Sequence, residues 1–263
     1  MVTLQFMGGG RMAEALVAGL LADARRAPGD LRVVEVSEQR RAYLAGEFPG
    51  LEVASEVSDC EGLVVATKPD AVVEALRAAG SHRVGRVLSI AAGVATATIE
   101  AALGGGRDVA VIRAMPNTPA LVGRGATAIC GGSSAAEEDL EWAEALLGAV
   151  GVVERVPESL MDAVTGLSGS GPAYVFLVAE ALVEAGVLNG LPRDTATRLA
   201  TQTLLGAATL LSRSDQGAEE LRAMVTSPGG TTAEALSVLE DRGVRSAFMA
   251  AVSAAARRSA ELG

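Results

Sequence analysis

Three consecutive glycines, Gly8, Gly9 and Gly10, lie between a short apolar run at the start of the chain and a segment with helical spacing. With Ala13 they form the pattern GxGxxA, which predicts a tight turn from a strand into a helix. The second glycine lets a phosphate approach the backbone, and the helix N-terminus offers free N–H groups and a positive partial charge. We therefore predict a binding site for a dinucleotide pyrophosphate; the alternative is a flexible glycine-rich turn.

The first 155 residues alternate strand-like and helix-like segments, an order typical of βαβ units around a parallel sheet. The strand-like runs are apolar on both faces, as in a sheet covered by helices on each side. The predicted strands are residues 2–7, 31–36, 62–66, 86–90, 109–113, 126–130 and 152–153. The predicted helices are residues 12–24, 39–46, 71–79, 98–103 and 135–150. We therefore assign residues 1–155 to an α/β Rossmann-type domain with a mostly parallel sheet.

The pattern changes near Pro157, after which helical spacing continues to the end and no strand-like run occurs. Predicted helices include residues 193–211, 231–239 and 244–262. A helical layer of about 100 residues rarely forms a large core alone. We therefore assign residues 156–263 to an all-α domain and expect subunits to share its apolar faces.

The composition argues against several classes of protein. Hydrophobic residues make up 49% and charged residues 21% of the chain, which is typical of a folded globular protein. A formal net charge of −10 without a basic run argues against nucleic-acid binding. We expect no signal peptide, no apolar stretch long enough to span a membrane, and a cytoplasmic location. Cys60 and Cys130 lie outside any metal-ligand spacing, so we expect free thiols and no metal site.

Further candidates for cofactor binding follow the predicted strands, because ligands of open α/β sheets bind at the carboxyl edge. Lys68, the only lysine of the chain, lies there between Thr67 and Pro69, where the alternative is a turn that starts a helix. Small residues follow Ser89 and leave room for a flat ring. Asn117 lies between two prolines in a rigid loop.

The identity of the dinucleotide depends on Glu35, near the end of the second predicted strand. A carboxylate there commonly accepts hydrogen bonds from both ribose hydroxyls, which favours NAD. Arg40 and Arg41 follow and would hold a 2′-phosphate, unless they only form a solvated helix face. The sequence therefore leaves both NAD and NADP open.

Two segments of the helical half contain glycines and hydroxyl-bearing residues in patterns that suggest a functional site. Residues 162–174 interleave three glycines with serines, and such poor helix formers predict a break or a close backbone approach. Residues 227–232 (SPGGTT) precede a helix. We expect Gly229 and Gly230 to expose N–H groups and a threonine to cap the helix, which together suit a substrate carboxylate. The alternative is ordinary helix capping.

With these segments the chain resembles the pyrroline-5-carboxylate reductase family over essentially its full length. The resemblance is carried by the glycine turn, Lys68 with Pro69, SIAAG at 89–93, RAMPNTPA at 113–120, DAVTGLSGSGPAY at 162–174, GLPR at 190–193 and SPGGTT. It implies reduction of 1-pyrroline-5-carboxylate to L-proline with NADPH or NADH, the last step of proline synthesis. It also implies homodimers with intertwined helical domains, which often form decamers, and an active site between the Rossmann crevice and the partner's helices.

The resemblance also assigns site residues. The implied substrate contacts are Glu158, Val225, Ser227, Gly229, Gly230, Thr231 and Thr232. The implied cofactor contacts are Met7, Gly8, Gly9, Gly10, Arg11, Met12, Ala66, Thr67, Lys68, Pro69, Ile90, Ala91 and Ala92, to which the strand-end positions add Glu35 and Asn117. Two positions depart from the family: Glu35 stands where many members have Ser or Thr, and Met224 where some have Asn.

We expect Thr232 to be the catalytic residue, hydrogen-bonded to the ring nitrogen. A protonated imine accepts hydride readily and needs little acid–base machinery, in agreement with a chain whose single histidine, His82, lies in a surface-like run. Because no lysine follows Lys68, dehydrogenases that use a lysine of the second domain are excluded, namely β-hydroxyacid dehydrogenases and ketopantoate reductases. The remaining alternatives are another cyclic-imine reductase and a non-catalytic nucleotide-sensing module.

Overall fold

The computed structural model describes residues 2–23, 26–104 and 109–262. The strands are β1 (Val2–Met7), β2 (Leu31–Val34), β3 (Glu52–Ala54), β4 (Cys60–Val65), β5 (Val84–Ser89), β6 (Ala110–Met115), β7 (Gly125–Gly131) and β8 (Gly151–Arg155). The helices are α1 (Arg11–Ala22), α2 (Glu38–Glu47), α3 (Val72–Ala79), α4 (Thr96–Ala102), α5 (Glu137–Leu147), α6 (Met161–Val164), α7 (Gly171–Leu188), α8 (Arg193–Arg213), α9 (Ala218–Met224), α10 (Thr231–Asp241) and α11 (Val244–Leu262).

The strands form one sheet in the order β3-β2-β1-β4-β5-β6-β7-β8. Neighbouring strands are parallel except for β6 and β7, which run antiparallel. The strand order reverses at β1, which pairs with β2 on one side and with β4 on the other. Open α/β sheets form their ligand crevice at such a switch point. The predicted α/β class with a mostly parallel sheet is confirmed.

Helices cover both faces of the sheet. One core cluster packs Leu16 of α1 against Val64 of β4. The other cluster packs Leu76 of α3 against Leu63 and Val65, the two neighbours of Val64 in the same strand. Because successive side chains of a strand point to opposite faces, the run Leu63–Val65 of β4 must be apolar on both faces. This explains why the runs lack the alternation of a half-buried strand.

Several boundaries differ from the predicted ones. Strand β3 was not predicted, because it has only three residues and begins with the exposed Glu52. It forms by pairing with β2 at the edge of the sheet. Strand β2 ends at Val34, so Glu35 follows the strand instead of belonging to it. Helix α1 runs from Arg11 to Ala22, and the predicted final residue, Ala24, lies outside the described residues.

The glycine- and serine-rich segment does not break the helix. It forms a π turn, Thr165–Gly169, between α6 and α7, in which the Ser170 N–H donates to the Thr165 carbonyl at 2.8 Å. A Cβ on Gly169 would lie 2.5 Å from Met115 Cε. The close approach was therefore predicted correctly, and the break was wrong, because wider i→i−5 bonding absorbs residues that an α-helix would disfavour.

The chain divides into two compact units, residues 1–170 with 253–263 and residues 171–252. The first contains the sheet. The second consists of α7 to α10 and the part of α11 up to Val252. Within it α7 and α8 approach closely at Gly186, where a Cβ would lie 3.0 Å from the Ala196 Cβ. The domain boundary that the sequence places at residue 155 stays a prediction.

Many large apolar side chains of the second unit are exposed, among them Phe176 at 63% and Leu177 at 65%. Within the described residues, the helical run Glu158–Leu188 is long and apolar enough to cross a membrane by length and composition alone, and an 18-residue stretch of it has a mean hydropathy of 1.5. The expectation that no stretch would meet that length was wrong, because the helix continues through the π turn. The apolar part of this run is not buried inside the chain.

Candidate active site

The glycine turn joins the ends of three strands. Gly8 has φ +99° and its N–H donates to the Val34 carbonyl at 2.8 Å. A Cβ on Gly8 would lie 2.8 Å from the carbonyl oxygen of Ala66. Because an L-residue would be strained by this φ and would collide with backbone, the tight turn predicted at Gly8 requires glycine.

The two following glycines differ in their surroundings. A Cβ on Gly9 would lie 2.7 Å from Leu44 Cδ1, whereas one on Gly10 would meet nothing within 4 Å. Gly10 is the N-cap of α1 and makes no side-chain cap hydrogen bond. The first amides of α1, those of Arg11 and Met12, therefore have no side-chain cap. A pyrophosphate fits there, because it would accept these N–H groups at the positive end of the helix.

A cavity of about 620 Å³ opens at the carboxyl ends of β1, β2 and β4, a volume ordinary for a ligand site. It is lined by Met7, Gly8, Gly10, Val34, Glu35, Val36, Ser55, Val57, Ala66, Thr67, Lys68, Ala71, Glu74, Ala75 and Ala78. The structure thus brings together seven residues that the sequence predicts as cofactor contacts: Met7, Gly8, Gly10, Glu35, Ala66, Thr67 and Lys68.

A second cavity, of about 600 Å³, continues from the same loop, since Pro69 lines it directly after Lys68. It is lined by Pro69, Asp70, Val73, Ala92, Gly93, Val94, Ala95, Thr98, Thr165, Ser170, Ala255, Arg258, Ser259 and Leu262. Of the predicted residues after β5, Ala92 reaches this cavity, whereas Ala91 is buried and Ile90 is half-buried. Among the described residues, the Thr67 hydroxyl is buried without a hydrogen-bond partner. Thr67 lines the first cavity. A ligand bound there would offer its hydroxyl a hydrogen-bond partner and remove the free-energy cost of burying it unpaired.

Glu35 is held by backbone amides on both sides. Its Oε2 accepts from the Gly9 N–H at 2.9 Å, and its Oε1 accepts from the Ser37 N–H at 2.8 Å. The carboxylate therefore links the glycine turn to the N-terminus of α2, where Ser37 is the N-cap. No sequence pattern predicts these two bonds, since both depend on the way the turn and the helix meet.

The two arginines of α2 do not form a plain solvated face. Arg40 Nε donates to the Gly9 carbonyl at 2.6 Å, and its Nη2 pairs with Glu14. Arg41 Nη1 donates to the carbonyls of Glu35 and Val36, both at 2.8 Å. Both guanidiniums therefore fasten the backbone around the crevice.

Glu158, a predicted substrate contact, is bonded within the protein. Its carboxylate accepts from the Thr96 N–H at 2.8 Å, from Thr96 Oγ1 at 2.7 Å and from Arg113 Nη1 at 3.1 Å. Burial raises the pKa of Glu158, but the bonds from Thr96 and the guanidinium of Arg113 outweigh it, so the pKa lies below its usual value. Sequence reasoning missed the role of buried Arg113, although a charged residue inside an apolar strand is a detectable signal.

Asn117, a predicted cofactor contact, is also engaged within the protein. Its Nδ2 donates to the Ser168 carbonyl at 3.0 Å, and its Oδ1 accepts from the Ala126 N–H at 2.9 Å. The side chain thereby ties the loop after β6 to the π turn. Its contact with the cofactor stays a prediction.

The SPGGTT loop departs from the predicted cradle in two respects. Gly230, not a threonine, is the N-cap of α10, and it makes no side-chain cap bond. The Gly230 N–H is not exposed, because it donates to the Ser227 carbonyl at 3.0 Å. The predicted threonine cap is wrong because the helix already begins at Thr231, which leaves the N-cap position to Gly230. The amides of Thr231 and Thr232 remain without an acceptor inside the helix.

Two glycines give this loop its shape. Gly229 adopts φ +68° in open space. A Cβ on Gly230 would lie 2.5 Å from Ser227 Oγ, so Gly230 leaves room for that hydroxyl. Ser227 and the neighbouring Val225 are exposed and Thr232 is half-buried. The loop therefore presents one hydroxyl beside the first amides of a helix, an arrangement that suits a carboxylate.

The crevice lies where the strand order reverses, and the helix after the glycine turn has no side-chain cap. Together they define a dinucleotide-binding α/β protein, which here is followed by a helical region. Two family models match it: "NADP oxidoreductase coenzyme F420-dependent" over residues 3–93 and "Pyrroline-5-carboxylate reductase dimerisation" over residues 158–262.

Full-length relatives give the same result. The chain is 48% identical to the pyrroline-5-carboxylate reductase of Synechocystis sp., covering 100% of this chain and 98% of the relative. It is 43% identical to that of Corynebacterium melassecola, covering 100% and 99%. The structure of the enzyme from Coxiella burnetii superposes with a TM-score of 0.92 at 35% identity, covering 100% of this chain and 98% of that one. The Plasmodium falciparum structure with NADP bound has a TM-score of 0.83 at 30% identity and the same coverage.

The chain belongs to the pyrroline-5-carboxylate reductase family. It is an NAD(P)-dependent oxidoreductase. The match of residues 158–262 to the dimerisation model assigns this region to oligomerisation. That assignment accounts for the exposed apolar side chains of α7, such as Phe176, because a subunit contact would cover them.

Proposed function

We propose that this chain reduces 1-pyrroline-5-carboxylate to L-proline, the last step of proline biosynthesis. The observation that carries the proposal is a dinucleotide crevice at the switch point of a chain 48% identical, over its full length, to a pyrroline-5-carboxylate reductase. Reduced nicotinamide dinucleotide, NADPH or NADH, supplies a hydride when it is bound. The protein's own residues hold the two reactants and exclude competing geometries.

Different residues of the crevice bind different parts of the dinucleotide. The amides after Gly10 bind the pyrophosphate, because they are the uncapped first N–H groups of α1. Glu35 lies where the adenosine ribose is bound, and Lys68 lies at the end of β4 for the second ribose or a phosphate. The other predicted contacts surround these points: Met7, Gly8, Gly9, Arg11, Met12, Ala66, Thr67, Pro69, Ile90, Ala91, Ala92 and Asn117.

The SPGGTT loop holds the substrate. The Ser227 hydroxyl and the first amides of α10, those of Thr231 and Thr232, bind the carboxylate. Gly229 and Gly230 shape the loop, and Gly230 serves as a spacer whose own N–H is already used. Val225 bounds the loop at the end of α9. Neutral donors suffice for an anion here, because a helix N-terminus adds its partial charge to them.

Thr232 positions the reacting bond by hydrogen-bonding to the ring nitrogen. In the reaction a hydride adds to the imine carbon, the C=N π bond breaks, and its electron pair stays on the nitrogen, which retains its proton as a secondary amine. A substrate that arrives protonated supplies this proton itself. The residues assigned to the site therefore need no histidine, and Glu158 acts through the groups that it fastens, Thr96 and Arg113.

We also propose a homodimer formed through the helical region, with decamers as the higher assembly, and a cytoplasmic location. The exposed apolar faces of α7 support the first point. Cys60 and Cys130 support the second, since both are free and buried and burial raises the pKa of each thiol to about 11. Such thiols are inert and need no oxidising compartment.

The test follows the absorbance of reduced nicotinamide with purified protein and 1-pyrroline-5-carboxylate, and identifies the product by mass spectrometry. We expect oxidation of the dinucleotide with equal formation of proline. The Gly8→Ala variant is the control, because it removes the cofactor site and not the substrate loop. Turnover of a six-membered cyclic imine without turnover of pyrroline-5-carboxylate would indicate another cyclic-imine reductase. Nucleotide binding without oxidation of either dinucleotide would indicate a sensor.

A further inference from the structure

Glu35 occupies the part of the crevice where NAD and NADP differ. Its carboxylate lines the cavity after β2, beside Val34 and Val36. In a crevice of this topology that position faces the adenosine ribose, which carries either a 2′-hydroxyl or a 2′-phosphate. We propose that Glu35 makes this enzyme prefer NADH to NADPH, by acting as a built-in anion in the place of the 2′-phosphate. The inference rests on the dinucleotide site proposed above.

The backbone donors at this position are already used. Glu35 accepts from the Gly9 N–H at 2.9 Å and from the Ser37 N–H at 2.8 Å. A phosphate at the end of β2 would need such amides, because backbone N–H groups at a turn and at a helix N-terminus are the usual anion donors. Each carboxylate oxygen keeps a second lone pair for a ribose hydroxyl. The carboxylate can therefore accept hydrogen bonds from a ribose, and the amides of Gly9 and Ser37 are not available to a phosphate.

The nearby cations are also committed. Arg40 is held by Glu14, by the Gly9 carbonyl and by the ring of Tyr43, whose centroid lies 4.7 Å from its guanidinium. The carboxylate of Glu14 is itself fixed by a hydrogen bond from the Tyr43 hydroxyl at 2.9 Å. These three contacts hold the guanidinium of Arg40 against the glycine turn, and any movement toward a phosphate would weaken them.

Arg41 is fastened in the same way. Its Nη1 bridges the carbonyls of Glu35 and Val36, each at 2.8 Å. The described residues that line the cavity include neither Arg40 nor Arg41, and the cation among them, Lys68, follows β4. The cavity lining at the end of β2 therefore carries the negative charge of Glu35 and no arginine. A 2′-phosphate would meet repulsion that a hydroxyl does not.

Three variants distinguish the effect of the Glu35 charge from the effect of the residues around it. Glu35→Ser removes the charge and releases the amides of Gly9 and Ser37, with Arg40 and Arg41 still in place. Glu35→Gln removes the charge but keeps the side-chain length and an accepting oxygen. It is the second test variant, in case the short serine of Glu35→Ser destabilises the glycine turn. Glu61→Ser is the matched control, because it removes the same charge from the opposite, amino end of β4.

The test measures dissociation constants of NADH and NADPH by nicotinamide fluorescence, without substrate, and then the ratio of kcat/KM for the two. We expect the wild-type protein to bind NADH at least about tenfold more tightly than NADPH. Glu35→Ser or Glu35→Gln should lower that ratio by about tenfold or more, and Glu61→Ser should not change it. Equal or tighter binding of NADPH to the wild type, or an unchanged ratio in both Glu35 variants, overturns the inference. Binding of neither dinucleotide overturns the proposed function itself.

Discussion

Adding one methyl group at Gly230 tests the substrate loop. Gly230 has φ −82° and ψ 168°, which alanine adopts without strain. Its new Cβ would lie 2.5 Å from Ser227 Oγ and 3.1 Å from the Ser227 carbonyl oxygen. The hydroxyl must rotate away, whereas the exposed loop has room to accept the methyl group. We therefore expect Gly230→Ala to change stability by less than about 1 kcal/mol.

We expect Gly230→Ala to weaken substrate binding instead. A hydrogen bond to a charged group is worth about 1.5–3 kcal/mol. At about 1.4 kcal/mol for each factor of ten, losing the Ser227 hydroxyl raises the KM for pyrroline-5-carboxylate about ten- to hundredfold. The dissociation constant of the dinucleotide should not change, because the glycine turn is untouched. Steady-state kinetics and nicotinamide fluorescence measure the two effects separately.

A double-mutant cycle identifies the route of this effect. If Gly230→Ala acts by displacing the hydroxyl, then Ser227→Ala alone causes the same loss, and the double variant is no worse than either single one. Gly229→Ala is the contrasting variant, since its φ of +68° strains the backbone in open space without touching Ser227. Additive losses in the double variant, or an unchanged KM in Ser227→Ala, would refute the assignment.

Three further predictions concern other parts of the site. Gly8→Ala should abolish dinucleotide binding and destabilise the protein by about 1–2 kcal/mol or more because of its positive φ, whereas Gly10→Ala, whose Cβ meets nothing within 4 Å, should weaken dinucleotide binding at unchanged melting temperature. Glu158→Gln should lower the free energy of unfolding by about 1–3 kcal/mol at neutral pH, because Arg113 loses its charged partner. The pKa of Glu158 is depressed in the folded protein. Its contribution to stability is therefore present above the pKa of the unfolded state and is lost as the pH falls through the pKa of the folded state. An equal difference in unfolding free energy between wild type and variant at acid and neutral pH would contradict this prediction. Thr232→Ala should lower kcat at least about tenfold with Thr232→Ser largely retaining it, and equal kcat values in the two variants would remove the catalytic role of the hydroxyl.

The parts of the fold that depend on local chemistry were predictable from the sequence. The glycine turn was found because its conformation requires glycine at Gly8, where a side chain would strike Ala66. The buried strands were found because helices on both faces make most of their residues apolar, without the alternation of a half-buried strand. Strand β3 was missed since its pairing with β2, not its composition, makes it a strand.

The candidate site was less predictable, because its geometry depends on contacts between distant segments. Glu158 joins Thr96 and Arg113, which are 62 and 45 residues away along the chain. Whether Arg40 and Arg41 were free to bind a phosphate depended on Glu14 and on backbone carbonyls, which spacing does not reveal. In the SPGGTT loop the N-cap is Gly230 and not the predicted threonine, because the helix begins at Thr231 itself.

The proposed reaction transfers a hydride from reduced nicotinamide to the imine carbon of pyrroline-5-carboxylate. The most direct test supplies dinucleotide deuterated at the transferring position of the nicotinamide ring and analyses the product by mass spectrometry and NMR. We expect proline with a single deuterium on the ring carbon that was part of the C=N bond. Proline without deuterium, or no proline while the dinucleotide remains reduced, would contradict it.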